Sequence, residues 1–206
     1  MTAAITTWVD SGNLGTASES NPLIVLLHGY GSNERDLPGL VSWLGTHNPW
    51  VSLRAPFALE HGGFAWFPIT TPLNPSASDL DTATTAVWAW IDHHVDPLTP
   101  LIVIGFSQGG MMTTQLLRTR PERIVRAAVL AGFATAIPQI GDEALAARRP
   151  AVLWTRGTAD MIITDDANDR TRTVLSQLCD LNERTYPGLG HSVDERVLAD
   201  VRDYLA

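Results

Sequence analysis

Short apolar runs rich in β-branched residues alternate along the chain with longer stretches whose apolar positions recur at helical spacing. Leu23-Ile24-Val25-Leu26-Leu27 is apolar on both faces, as a strand buried inside a parallel sheet must be. Similar runs at Pro49–Arg54, Leu101–Ile104, Ala127–Leu130 and Ala151–Gly157 predict further strands, with weaker ones around Thr7–Val9 and Glu183–Tyr186. Helices are expected at about Asp36–Leu44, Asp79–Val95, from Met111 onward, Thr164–Leu181 and Val193–Leu205. Ala55–Ser78 shows neither period and holds four prolines and the aromatic cluster Phe64, Trp66 and Phe67. A structureless loop of that length in a compact domain is usually functional or mobile.

Strands alternating with helices along the whole chain predict a mostly parallel central sheet with helices on both faces, in one domain over 1–206 with no large cap domain. In such sheets ligands bind beyond the carboxyl ends of the strands. Composition narrows the partners. Net charge is −8, with 22 acidic residues against 14 basic, a balance that disfavours nucleic acid and anionic lipid. All 14 basic residues are arginine, so lysine Schiff-base chemistry is excluded. The single cysteine, Cys179, excludes an intrachain disulfide and a cysteine-rich zinc site, and is read as a packed thiol in an amphipathic helix. No apolar run reaches the length of a membrane span, and residues 1–10 lack a basic region followed by an apolar core. A cytoplasmic protein without stable membrane insertion is the expectation, with a homodimer left open.

One stretch carries chemistry. The run Leu101–Ile104 stops at Gly105-Phe106-Ser107-Gln108-Gly109-Gly110, and a helix-forming segment follows at once. A serine between glycines at a sharp strand-to-helix turn is the nucleophile-elbow pattern. The turn leaves no room for Cβ atoms two residues to either side, and lifts the hydroxyl clear of the sheet above a helix N-terminus. A serine hydroxyl needs a base. Of six histidines, His191 lies in the loop between the last strand and the last helix, where it can overhang the sheet edge. His93 and His94 are assigned to a helix end, His47 and His61 to solvent, and His28 to shaping the loop after the Leu23–Leu27 strand. The imidazole in turn needs an acid to fix its tautomer. Asp160 directly follows the Ala151–Gly157 strand, whereas Asp165, Asp166, Asp169 and Asp194 read as helix-start carboxylates. The order Ser107, Asp160, His191 is that of α/β-hydrolases. The backbone N–H groups of Tyr30 and Gln108 are the expected oxyanion donors, with Gly31 as the fallback to Tyr30. Trp66, Phe67, Phe133, Met161 and Ile162 are candidates for an apolar substrate pocket, and Met111 is placed in the core.

Taken together, Leu27-His28-Gly29-Tyr30-Gly31, Arg54-Ala55-Pro56, Ala65-Trp66-Phe67, Gly105–Gly110, Gly157-Thr158-Ala159-Asp160 and Gly190-His191 resemble the phospholipase/carboxylesterase family of α/β-hydrolases, which includes bacterial carboxylesterases and acyl-protein thioesterases. The resemblance runs from about Leu23 to the C-terminus. It implies the α/β-hydrolase fold and hydrolysis of small or medium-chain carboxylic esters without metal or cofactor, with Ser107, Asp160 and His191 as the triad. It also implies Trp66 and Phe67 beside the acyl group. The rival readings are a thioesterase or lysophospholipase, and a non-catalytic binding module of the same fold.

Overall fold

The computed structural model describes residues 3–69, 73 and 75–206. Seven strands form one sheet in the order β1-β3-β2-β6-β7-β8-β9: β1 (Trp8–Asp10), β2 (Leu23–Leu27), β3 (Trp50–Leu53), β6 (Leu101–Phe106), β7 (Ile124–Leu130), β8 (Ala151–Gly157) and β9 (Asp180–Tyr186). Only β1 runs antiparallel to its neighbour, β3; every other pairing is parallel. A small hairpin, β4 (Phe57–Ala58) and β5 (Phe64–Ala65), stands apart from this sheet.

The sheet is covered on both faces, and the two-residue period of a strand sorts the side chains. In β2, Leu23, Val25 and Leu27 pack into one core while Ile24 and Leu26 pack into the other. The first core is closed by α2 (Ala77–His94), α3 (Gln108–Thr119), α4 (Asp142–Arg148) and α5 (Asp165–Leu178), through residues such as Val87, Leu116, Leu145 and Leu175. The second is closed by α1 (Pro38–Leu44) and α6 (Glu195–Leu205), through Val41, Val197 and Val201. Caps mark the helix starts: Ser76, Thr164 and Asp194 accept N–H groups of α2, α5 and α6. Among the described residues no helix is long and apolar enough to cross a membrane.

Several expected boundaries move. The helix expected through Leu181 ends at Leu178, and Cys179 is its buried C-cap. Its apolar run continues into β9, where Asp180–Asn182 pair with β8. β7 starts three residues earlier than its apolar run, because Val125 and Arg126 are exposed at the bottom of the sheet. α4 was not legible, having a single buried residue, Leu145, in seven. The stretch 55–78 contains the β4–β5 hairpin and the first two residues of α2; its residues 70–72 and 74 lie outside the described residues.

Candidate active site

Four strand ends converge at one rim. β2 leads into Gly29 and Tyr30, β6 into Ser107, β8 into Asp160, and β9 into His191. The tight approach at the elbow explains its composition. A Cβ on Gly105 would collide with the carbonyl of Gly109, and one on Gly109 with the carbonyl of Leu27. Only glycine permits α3 to start directly on top of β2 and β6. Ser107 adopts φ 54°, ψ −115°, a strained backbone for a residue with a side chain. It stands at the N-cap of α3 yet makes no capping bond, so its hydroxyl is available elsewhere.

That hydroxyl meets His191: Nε2 lies 2.8 Å from Ser107 Oγ, and Nδ1 lies 2.7 Å from Asp160 Oδ2. The Asp160 side chain is 3% exposed and that of His191 17%. The other carboxylate oxygen, Oδ1, accepts the N–H groups of Ile162 (2.8 Å) and Ile163 (3.1 Å), which fixes the plane of the acid. The loops bearing acid and imidazole are stitched together. Ala159 N–H donates to Leu189 O, Thr158 N–H to Tyr186 O, and Gly188 N–H to Thr158 Oγ1. Gly157 allows the approach, since a Cβ there would strike Leu189 O. The Phe106 ring lies 5.0 Å from the imidazole and limits its swing.

The loop after β2 is held by buried groups. His28 is fully buried; its Nε2 accepts Ala55 N–H, so Nδ1 carries the proton and donates to Gly29 O at 2.7 Å. Burial pushes its pKa below the usual histidine value. Gly31 N–H donates to Phe64 O and Phe64 N–H to Ser32 O, pinning the same loop to β5. Glu34 and Arg54 close it from below in a bidentate pair at 2.6 and 2.7 Å, which holds the Glu34 carboxyl below its ordinary range. The N–H groups of Tyr30 and Gln108 have no acceptor among the described residues.

A cavity of about 230 Å³ opens beside Ser107 and His191. Of the expected pocket residues, Phe67, Phe133 and Ile162 line it. Trp66 and Met161 do not. The Trp66 side chain is fully buried behind the wall, its Nε1–H donating to His28 O, so it braces the β2 loop instead. Met161 is 90% exposed, because the turn at Asp160 directs Ile163 inward in its place. Sequence reasoning passed over Ile69, Leu73 and the flanking prolines Pro68 and Pro75, which also line the cavity; they sit in irregular backbone, where no period marks a facing side. It also passed over the side chain of Gln108, whose amide accepts Trp66 N–H (2.9 Å) and donates to Phe67 O (2.8 Å). Gln108 therefore ties the elbow to the pocket wall. Among the described residues no cluster of three His, Cys, Asp or Glu side chains could hold a metal ion. His93 and His94 close α2, and His47 and His61 are exposed.

Comparison with known proteins bears on the family and the fold. A profile described as phospholipase/carboxylesterase matches residues 15–206. Acyl-protein thioesterase 1 of Debaryomyces hansenii is 29% identical over 161 residues, 70% of this chain and 68% of that protein. A protein of Oryza sativa subsp. japonica named a probable carboxylesterase is 29% identical over 168 residues, 73% of this chain; the match spans 61% of its length. In fold, a carboxylesterase from Mesorhizobium loti superposes with a TM-score of 0.79 over 100% of this chain and 99% of its own, at 22% identity. The parallel sheet with helices on both faces is thus the α/β-hydrolase fold, and the chain belongs to the phospholipase/carboxylesterase family.

Proposed function

We propose that this chain is a serine carboxylic ester hydrolase acting on small and medium-chain esters through an acyl-enzyme. One observation carries the reading: an unbroken relay from Ser107 Oγ through His191 to Asp160, with links of 2.8 and 2.7 Å, beside an apolar cavity. His191 Nε2 takes the hydroxyl proton as Ser107 Oγ attacks the ester carbonyl, while Asp160 steadies the imidazolium. The backbone N–H groups of Tyr30 and Gln108 receive the negative charge on the carbonyl oxygen, and the α3 N-terminus favours it. Collapse of the tetrahedral intermediate breaks the ester C–O bond as His191 returns the proton to the leaving alcohol. Water, deprotonated by the same nitrogen, then adds to the acyl-serine and releases the acid and free Ser107.

The cavity bounds the acyl group. A cavity of about 150 Å³ takes up benzene, so about 230 Å³ accepts roughly nine non-hydrogen atoms on the same scale. Acyl chains up to about eight carbons fit without rearrangement. Residues 1–206 serve as one catalytic domain in this reading, and the chemistry needs one copy of the chain. A cytoplasmic site of action is part of it, supported by a chain whose one cysteine can form no internal disulfide. The test is hydrolysis of p-nitrophenyl butyrate by the wild type and by Ser107→Ala. Loss of several orders of magnitude in the variant is expected; a variant retaining most of its activity removes Ser107 from the reaction.

A second reading is favoured by the relative named an acyl-protein thioesterase. The same relay would expel a thiol instead of an alcohol. Rates on matched oxygen and sulfur esters of one acid decide between them.

A further inference from the structure

Part of the cavity wall is built from two segments distant in sequence, and one guanidinium joins them. Leu73 contributes from the loop before α2, and Phe133 from the segment after β7. Arg170, on α5, lines no part of the cavity. Its Nη2–H donates to Leu73 O at 2.8 Å, across 97 residues, and its Nε–H donates to Ala134 O at 2.9 Å. The next residue, Thr171, is fully buried; its Oγ1 accepts Ala134 N–H at 2.9 Å and donates to Ala167 O. Both polar backbone groups of Ala134 are therefore bonded to α5, immediately beside Phe133.

Leu73 needs such a restraint. Its φ is 61°, left-handed backbone that a residue with a branched side chain avoids unless its surroundings impose it. Leu73 is also packed against the first core, so apolar packing and a charged donor both hold it. Hydrogen bonds from a charged donor to a carbonyl are shorter and stronger than neutral ones. Lysine would replace this fork only in part, since its donors share one nitrogen and lack the fixed planar geometry that reaches two acceptors in different directions.

We infer that Arg170 is a positioning residue for acyl-chain selection, clamping the Leu73 and Phe133 walls of the cavity together and so setting how well medium-chain acyl groups are held. The inference rests on the esterase reading above and extends it to a residue that touches neither substrate nor triad. The reacting carbonyl binds at Ser107, so the clamp acts on the part of the acyl group beyond it. Acetate carries one carbon beyond the carbonyl, and hexanoate carries five.

The experiment measures kcat and KM for p-nitrophenyl acetate, butyrate, hexanoate, octanoate and decanoate, with the wild type, Arg170→Met and Arg170→Lys. Rates are normalised to sites titrated by a fluorophosphonate. In Arg170→Met, kcat/KM for hexanoate is expected to fall at least tenfold relative to acetate, mainly through KM, with an intermediate fall in Arg170→Lys. A hexanoate-to-acetate ratio within twofold of wild type overturns the inference. So does an equal fall at every chain length, the signature of a merely structural role. If Arg170→Met does not fold, Arg170→Lys decides by the same ratio. A wild type that hydrolyses none of the esters overturns the esterase reading and this inference together, and it is recognised without any variant.

Discussion

Asp160→Asn keeps the shape of the acid and changes one group. The two oxygens of Asp160 have different work: Oδ1 accepts two N–H groups, from Ile162 and Ile163, while Oδ2 faces His191 Nδ1 at 2.7 Å. In the variant the amide oxygen is drawn to the Oδ1 position, since an NH₂ group there would confront two donors. The NH₂ group then faces Nδ1, and an imidazole can answer it only by leaving Nδ1 bare and carrying its proton on Nε2. That tautomer offers Ser107 a donor where a base is required. Turnover of p-nitrophenyl butyrate should fall roughly a thousand- to ten-thousand-fold, about 4–5.5 kcal/mol in the barrier. Stability in urea should change by no more than about 2 kcal/mol, because the turn keeps both hydrogen bonds and loses only their charge assistance. Nitrogen-15 NMR of the imidazole reads the tautomer independently. A folded Asp160→Asn protein with less than a tenfold loss, or with Nδ1 still protonated, would refute the role given to the acid.

Three further outcomes follow from the same geometry. Phe133→Ala removes part of the cavity's wall, so decanoate should gain relative to butyrate in kcat/KM, at a stability cost of about 3 kcal/mol in a urea titration. The His28 pKa is lowered by burial, so the unfolded chain binds its proton first as the pH drops below 6.5; the His28 contribution is full above about pH 7 and is lost in acid. The dependence of unfolding free energy on pH between 7 and 5 should accordingly be shallower in His28→Leu than in wild type, by up to about 1.4 kcal/mol per pH unit; parallel curves would contradict it. Burial pushes the Cys179 thiol up to about 12, so the native protein should resist Ellman's reagent at pH 8 without loss of esterase activity, and react fully in urea.

What the sequence revealed depended on how each residue's environment repeats along the chain. β2, β6 and the interior of β8 are buried on both sides, and a continuous apolar run is an unambiguous signature of that state. β9 forms the sheet edge and carries Asn182, Glu183 and Arg184, so its start was absorbed into the helix before it. The Ser107 elbow was legible because steric exclusion at Gly105 and Gly109 leaves a local mark. Asp160 and His191 were legible because each follows a strand end. The pocket was legible only in part. Nothing local separates Trp66, turned inward to His28 O, from Phe67, which faces the cavity. Arg170 has no local signature at all: its function lies in two carbonyls supplied by segments 36 and 97 residues away.

The central claim is that the hydroxyl of Ser107, activated by His191, is the group that attacks. Intact-protein and peptide mass spectrometry after treatment with a fluorophosphonate tests it most directly. The account predicts one phosphonyl adduct per chain, on the peptide containing Ser107, formed rapidly in wild type and abolished in both Ser107→Ala and His191→Ala. An adduct on any other residue, or none on a folded wild-type protein, would contradict it.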